Sequence, residues 1–172
     1  MKKLLRLSMM VLVVASLFSV TGCSTKNSYG DGASIGEDGW GTGDMPMGLD
    51  DFTKYPRVNQ AFTPVYFAYD NYQIPSSEYG KIDMVVRFMQ GDSSIVLIAE
   101  GHCDERGTIE YNLSLGEYRA QSVRTYMANS GISSDRIQTT SYGKERPAVQ
   151  GSGESVWSQN RRGEFALYRR GK

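Results

Sequence analysis

Residues 101–107, Gly-His-Cys-Asp-Glu-Arg-Gly, place the chain's one His, one of its two Cys, two carboxylates and an Arg between two glycines. Such a set can serve catalysis, metal binding or the holding of a charged ligand. Catalysis needs a positioned nucleophile or an acid–base carboxyl pair. No Ser or Cys stands in a recognisable nucleophile turn beside His102, and Cys103, its neighbour, points to the opposite side if a strand continues through it. Asp104 and Glu105, adjacent in sequence, diverge in the same way. Zinc needs three or four matched ligands, and one His with one Cys, no Cys-x-x-Cys and no second His is a poor set. Asp104 and Glu105 match no calcium loop. No metal and no cofactor is therefore expected. His102 is expected as a strand-end residue hydrogen-bonded to backbone, and Cys103 as a small buried side chain.

The elements that must position this stretch can be read from period and punctuation. Val65–Asp70 (VYFAYD) is rich in β-favouring residues and predicts a first strand. Ser76 or Ser77 can cap a helix whose apolar residues Ile82, Val85, Val86 and Met89 follow at i, i+3, i+4, i+7 up to Gly91. The apolar run from Ser94 to His102 predicts a strand buried on both faces. A second helix follows, capped by Thr108 or by Ser114 with Glu117, with an inward stripe of Leu113, Gly116, Ala120, Val123 and Met127 and a stop at Asn129-Ser130-Gly131. Gly116 lowers helix propensity, so a close approach of helix to sheet is the expected compensation. Ile137–Tyr142 alternates as a third strand, Trp157–Arg162 reads as a short helix, and Glu164–Arg169 as a last strand. The order β-α-β-α-β, loop, β implies an α/β two-layer sandwich, with helices on one face of a mixed sheet. The Asp-Glu-Arg stretch then sits where a buried strand hands over to a helix, a place where loop side chains are held rigidly from both sides.

The N-terminus predicts export. Residues 1–22 combine Lys2, Lys3 and Arg6 with an apolar run from Met9 to Val20 and then small residues, the pattern of a cleaved signal peptide. Val20-Thr21-Gly22-Cys23 resembles a bacterial lipobox, which implies acylation of Cys23; Ser24 after it fits sorting to the outer membrane. Multiple acyl chains bury far more CH2 groups than the single chain that binds only reversibly. With Cys23 so used, Cys103 has no partner for a disulfide. Residues 23–52 are rich in Gly, Ser, Asp and Thr without sustained period, a composition too polar to offset chain entropy. They read as a disordered tether spanning about 30 to 35 Å as a coil, with Trp40 as an exposed ring in it. Residues 53–172 suit one domain of ordinary size. Formal charge is zero, from 19 basic and 19 acidic side chains, so there is no global field of the kind nucleic-acid binding uses.

The stretch EGHCDERGTIEYNLSLGEYRAQSV resembles the peptidoglycan-associated lipoproteins of Gram-negative bacteria and, more generally, the OmpA-like cell-wall-binding domains. Their pattern is an Asp, a gap, then Asn-x-x-Leu-Ser/Gly-x-x-Arg-Ala, matched here by Asp104, Asn112, Leu115 and Arg119-Ala120. YFAYDNYQI, SYGKERPA and NRR extend the likeness from about Val65 to Tyr168. The resemblance implies the OmpA-like fold, with a four-stranded sheet. It also implies non-covalent binding of the peptidoglycan stem peptide through meso-diaminopimelate, with Asp104 and Arg119 as ligand residues, Asp70 at a further pocket-side position and Leu115 as an apolar wall. The free end of diaminopimelate carries an ammonium and a carboxylate on one carbon, so a receptor needs an anion and a cation a few ångströms apart. Asp104 supplies the first, and Arg119 is expected to pair with the carboxylate in two-pronged fashion. The family further implies a place in the Tol-Pal system of the outer membrane, with TolB competing for the same face and TolA as a further partner. The alternatives are a cell-wall hydrolase using the same pocket, and a binding module of this fold serving another envelope complex. Two residues depart from the pattern: Cys103 stands where Ala or Thr is commoner, and Glu164 follows Gly163 where an apolar strand normally runs on, so that a bulge at Gly163 is expected. Arg161 and Arg162 are read either as wall contacts or as solvated strand-end charges.

Overall fold

The structure, a computed structural model, describes residues 50–171. The expected signal peptide (1–22), the acylated Cys23, Trp40 and nearly all of the tether lie outside the described residues. No helix among the described residues is long and apolar enough to cross a membrane.

Four strands and three α-helices follow in the order β1 (Val65–Tyr66), α1 (Tyr79–Gly91), β2 (Ile95–His102), α2 (Ile109–Asn129), β3 (Ile137–Gly143), α3 (Glu154–Asn160) and β4 (Arg162–Arg169). They form one sheet in the order β1-β4-β2-β3, in which β2 and β3 run parallel and β4 is antiparallel to both β1 and β2. The sheet is mixed, as the βαβ pattern implies. Leu97, Ala99, Phe165 and Leu167 face the helices and pack with Ile82, Val85 and Met89 of α1 and Ala120, Val123 and Met127 of α2. Val96, Ile98 and Ala166 point the other way and are covered by Phe52 and Tyr55. Strand β2 is thus buried on both faces, which its unbroken apolar run anticipates.

The second face is closed by the chain that leads into β1. Phe52 is fully buried there, inside a short 3-10 turn (Phe52–Lys54) capped by the Asp51 carboxylate. Asp50 accepts from the Tyr55 hydroxyl at 2.8 Å and pairs with Arg170 at 3.0 Å. Packed structure therefore reaches back past the Thr53 boundary expected from composition. That composition is averaged over a window, and one aromatic ring at its edge decides the matter.

Helix α2 starts at the first of its two expected caps. Thr108 Oγ1 accepts from the Tyr111 amide at 3.2 Å, whereas Ser114 lies inside the helix with its hydroxyl on the Glu110 carbonyl and Glu117 accepts from Thr139. Thr108→Ala is expected to lower stability by about 1 kcal/mol, read as a shifted denaturant midpoint at unchanged slope. The inward stripe is displaced from the expected one: Leu113 is only half-buried, and Asn112, Leu115 and Arg119 join Gly116, Ala120, Val123 and Met127. The helix stops where Gly131 takes a positive φ of 93°.

Other expectations are corrected. The first strand pairs over two residues, not six: after Phe67, whose amide bonds to the Arg161 carbonyl at 2.9 Å, the carbonyls of Ala68 and Asn71 turn to Arg119. Asp70 adopts φ 51°, a left-handed conformation that a strand excludes. Neither Ser76 nor Ser77 caps α1; a 3-10 turn over Ser76–Glu78 leads into it, fastened by the Glu78 carboxylate, which accepts from the Tyr66 amide at 2.8 Å and from Lys81 at 2.6 Å. The register of β4 runs unbroken through Gly163, and the irregularity falls instead between Gly101 and His102 against β3. Helix α3 begins earlier than Trp157, and β4 already starts at Arg162.

Candidate functional site

The site is built on the contact of α2 with the end of β2. A Cβ on Gly116 would lie 2.2 Å from Ser141 Oγ and 3.0 Å from the Gly101 carbonyl oxygen. The helix touches the sheet backbone to backbone, the compensation that a glycine in mid-helix suggests. This brings the N-terminal turns of α2 over the residues that leave β2.

Beyond His102 the Cys103 amide donates to the Gly143 carbonyl at 2.7 Å, extending the parallel pairing by one step. Its thiol is buried under α2, against the Asn112 carbonyl at 3.3 Å. Burial pushes the Cys103 pKa up to about 11 against the opposing pull of Arg119, so the thiol is inert at neutral pH. Asn112 then holds the loop shut, donating to the Arg106 carbonyl at 2.6 Å and the Thr108 carbonyl at 2.9 Å.

Asp104 is 5% exposed and receives the Arg106 guanidinium at 2.6 and 3.1 Å, the Arg106 amide at 3.1 Å and Arg161 at 3.3 Å. Burial alone would raise its pKa, but the hydrogen bonds from Arg106 and Arg161 outweigh it and hold the carboxyl below the ordinary range. It is an anion at neutral pH. Arg106 lies 3.9 Å from the Tyr69 ring centre and 4.1 Å from that of Trp157.

Arg119 is fully buried. Its Nε donates to the Asn71 carbonyl at 2.9 Å, Nη1 to the His102 carbonyl at 2.8 Å and to Cys103 Sγ at 3.5 Å, and Nη2 to the Ala68 carbonyl at 3.2 Å. Four of the five N–H groups of a guanidinium are thereby committed. A two-pronged pair with a ligand carboxylate would require it to release a carbonyl; as it stands Arg119 offers its charge and one N–H.

All four residues expected in the pocket, Asp70, Asp104, Leu115 and Arg119, line one cavity of about 50 Å³, together with Arg106 and Arg161. Leu115 forms an apolar wall, and the Asp70 carboxylate accepts from the Tyr111 hydroxyl at the exposed side. The volume is that of one or two waters, and Arg106 lies over Asp104 as its cationic partner. Arg106 is the residue that the sequence reading missed, and Arg161, read there as a wall contact or a solvated strand-end charge, lines the same cavity. Arg161 is buried and bound to the Phe67 carbonyl, Glu154 and Asp104, and Arg162 is buried with its Nε on Glu164 at 2.5 Å. Neither is a solvated strand-end charge.

His102 departs from expectation as well. It is 2% exposed, yet neither ring nitrogen has a hydrogen-bond partner among the described residues; the Arg146 backbone lies close without meeting hydrogen-bond geometry. Burial, with Arg162 adding to it, pulls its pKa down to about 4. The imidazole is neutral and lies on the sheet face away from the helices, next to the Tyr142 ring at 5.4 Å, outside the cavity of Asp104.

The comparisons with known proteins agree with this architecture. The sequence profile of the OmpA family matches residues 66–161. The peptidoglycan-associated lipoprotein of Haemophilus influenzae is 33% identical over 158 residues, 91% of this chain and 95% of that one. Its counterpart in Pseudomonas aeruginosa is 34% identical over 166 residues, 95% of this chain and 98% of that one. The crystal structure of the peptidoglycan-associated lipoprotein from Burkholderia pseudomallei superposes with a TM-score of 0.59 at 33% identity, covering 60% of this chain and 88% of that one. A family profile over more than half of the chain, and relatives matched over nearly their full length, place the sequence: it belongs to the OmpA family, among the peptidoglycan-associated lipoproteins.

Proposed function

We propose that this chain is an outer-membrane lipoprotein, acylated at Cys23, whose domain faces the periplasm and binds peptidoglycan non-covalently through the meso-diaminopimelate of the stem peptide. One observation carries the proposal: a buried carboxylate, a buried guanidinium, an apolar side chain and a second carboxylate converge on one cavity, where an arginine already models the cation on Asp104. In this reading Asp104 takes the ammonium of the ligand, Arg119 supplies positive charge and one N–H to its carboxylate, Leu115 packs the methylene chain and Asp70 closes the rim. Arg106 swings off Asp104 and Tyr111 off Asp70 to admit it. The names of the relatives support peptidoglycan as the partner, and membership of the family supports TolB and TolA as protein partners and a role in envelope integrity and cell division. A hydrolase reading has no comparable support, since the thiol nearest the cavity is held protonated and His102 lies on the other face of the sheet.

The test is calorimetry of the full chain in detergent with a diaminopimelate-containing stem peptide. Saturable binding is expected, with the peptide intact afterwards. Asp104→Asn keeps an acceptor for Arg106 but removes the charge, and should weaken binding by about 10- to 100-fold, since a charged hydrogen bond is worth about 1.5–3 kcal/mol. No binding by the folded wild type, or equal binding by the variant, would overturn the reading.

A further inference from the structure

The face of the sheet turned away from the helices carries a second cluster, none of whose members lines the cavity of Asp104. Glu100 and His102 are two residues apart on β2 and share a face. Glu164, on β4, stands directly opposite Glu100 in the antiparallel register. One donor atom from each of the three lies within 4.8 Å of the other two. We propose that Glu100, His102 and Glu164 bind one divalent transition-metal ion, for which Zn2+ is the best chemical match.

Two features that the fold leaves unexplained become intelligible on this assignment. Glu100 and Glu164, directly opposite on neighbouring strands, repel, and Arg162 engages only one oxygen of Glu164; a cation between the two carboxylates turns the remaining repulsion into attraction. A buried imidazole with neither nitrogen hydrogen-bonded is rare, and a metal ion supplies the missing partner to one of them. The donor set discriminates among ions: a neutral imidazole and two carboxylates suit Zn2+ and its first-row neighbours, while Ca2+ and Mg2+ call for more oxygens and no nitrogen. Donors of a tetrahedral zinc site stand roughly 3.4 Å apart, given bonds of about 2.0–2.1 Å. The three side chains must therefore draw in by about an ångström, chiefly through Glu164, which is only half-buried.

The surroundings fit as well. The Tyr142 hydroxyl approaches Glu100 at 3.5 Å, and Arg162 holds Oε1 of Glu164 at 2.5 Å, leaving its second oxygen for the metal. Such outer contacts orient ligating groups. Glu164 also lines a groove of about 400 Å³ beside Arg57 and Phe62, which gives an ion a path from solvent. The neighbouring guanidinium groups of Arg57, Arg146 and Arg162 act on these carboxylates and on His102. They stabilise the carboxylates in the metal-free state and compete with the ion.

The test uses the full acylated chain in detergent, in which acylation of Cys23 leaves the buried Cys103 as the free thiol, after treatment with a chelator. Co2+ is titrated as a spectroscopic stand-in and then displaced by Zn2+. One equivalent is expected per chain, with visible bands of a nitrogen and oxygen site and without the charge-transfer band of a thiolate. Glu164→Gln, chosen because it leaves the buried side chains in place, should weaken binding by about 10- to 100-fold or more, and His102→Asn should abolish it. Absence of Co2+ and Zn2+ binding by the folded wild-type chain, a thiolate spectrum, or binding unchanged in Glu164→Gln would each overturn the assignment. If His102→Asn does not fold, Glu164→Gln alone decides.

Discussion

Gly101→Ala is expected to yield a chain that fails to reach the native fold, or one that unfolds at a far lower denaturant concentration. A Cβ at this position would lie 1.8 Å from the Gly116 carbonyl oxygen and 2.6 Å from its carbonyl carbon. Both are backbone atoms in the middle of α2, so relief requires the helix to back away from the sheet and take Ala120, Val123 and Met127 with it. Overpacking of a core typically costs about 1–3 kcal/mol, and a clash with no rotamer to relieve it belongs above that range, against a total stability of about 5–15 kcal/mol. Gly116→Ala provides the comparison. Its nearest conflict is Ser141 Oγ at 2.2 Å, a side-chain atom free to rotate, and next the Gly101 carbonyl oxygen at 3.0 Å; a smaller loss is expected. Urea unfolding followed by far-ultraviolet dichroism distinguishes them. Equal midpoints for Gly101→Ala and wild type would mean that the helix is not pinned at this spacing.

Arg119→Ala is expected to be strongly destabilised, so that any loss of the proposed peptide binding in it follows from loss of fold. The side chain ties together three backbone carbonyls, those of Ala68, Asn71 and His102, contributed by the segment after β1 and by the end of β2. A buried acceptor left without a donor costs about 1–3 kcal/mol; the His102 carbonyl is buried and those of Ala68 and Asn71 partly so, so a loss of about 3 kcal/mol is expected. Arg119→Lys should fall between, because one ammonium cannot reach three carbonyls on two segments. The measurement is equilibrium denaturation of both variants beside Asp104→Asn. Wild-type stability in Arg119→Ala would show that the carbonyl network is dispensable. Because Asp104→Asn also removes the charge that Arg106 and Arg161 share, a loss of binding in either variant counts for the proposed site only if that variant is folded.

Residues whose environment is set locally or by period were legible beforehand. Ile82, Val85, Val86 and Met89 announce α1 by spacing, the Ser94 to His102 run announces a strand buried on both sides, and Thr108 announces the start of α2. Gly116 was legible as a close approach because a glycine in mid-helix needs a reason. What could not be read depends on partners far along the chain. Strand β1 stops early because Arg119, some fifty residues on, captures the carbonyls that a longer strand would have given to a neighbour. Arg161 looks like a surface charge until the fold sets it beside Asp104, 57 residues away. His102 and Glu164 meet through the β2–β4 register, which no local pattern specifies. The pocket residues, by contrast, were located by family resemblance; spacing alone left them open.

The segment that covers the outer face of the sheet has a mechanical consequence. Asp50 is held by Arg170 at 3.0 Å, Asp51 by its cap and Phe52 by apolar contact, while the next ties to the sheet come at Pro56, whose carbonyl accepts from the Arg169 amide at 3.0 Å, at Arg57, which bridges Tyr168, and at Val58, whose amide bonds to the Leu167 carbonyl at 2.9 Å. Tension applied from the N-terminal side would meet these contacts one after another, as a zip is opened, not all at once in shear. The exposed Asp50–Arg170 pair and then Phe52 would release first, freeing about 20 Å of chain between residues 50 and 56 before β4 bears load. If the chain joins membrane to wall as proposed, this segment would hold a reserve of slack, able to yield and re-seat without disturbing the cavity at the far end of β2.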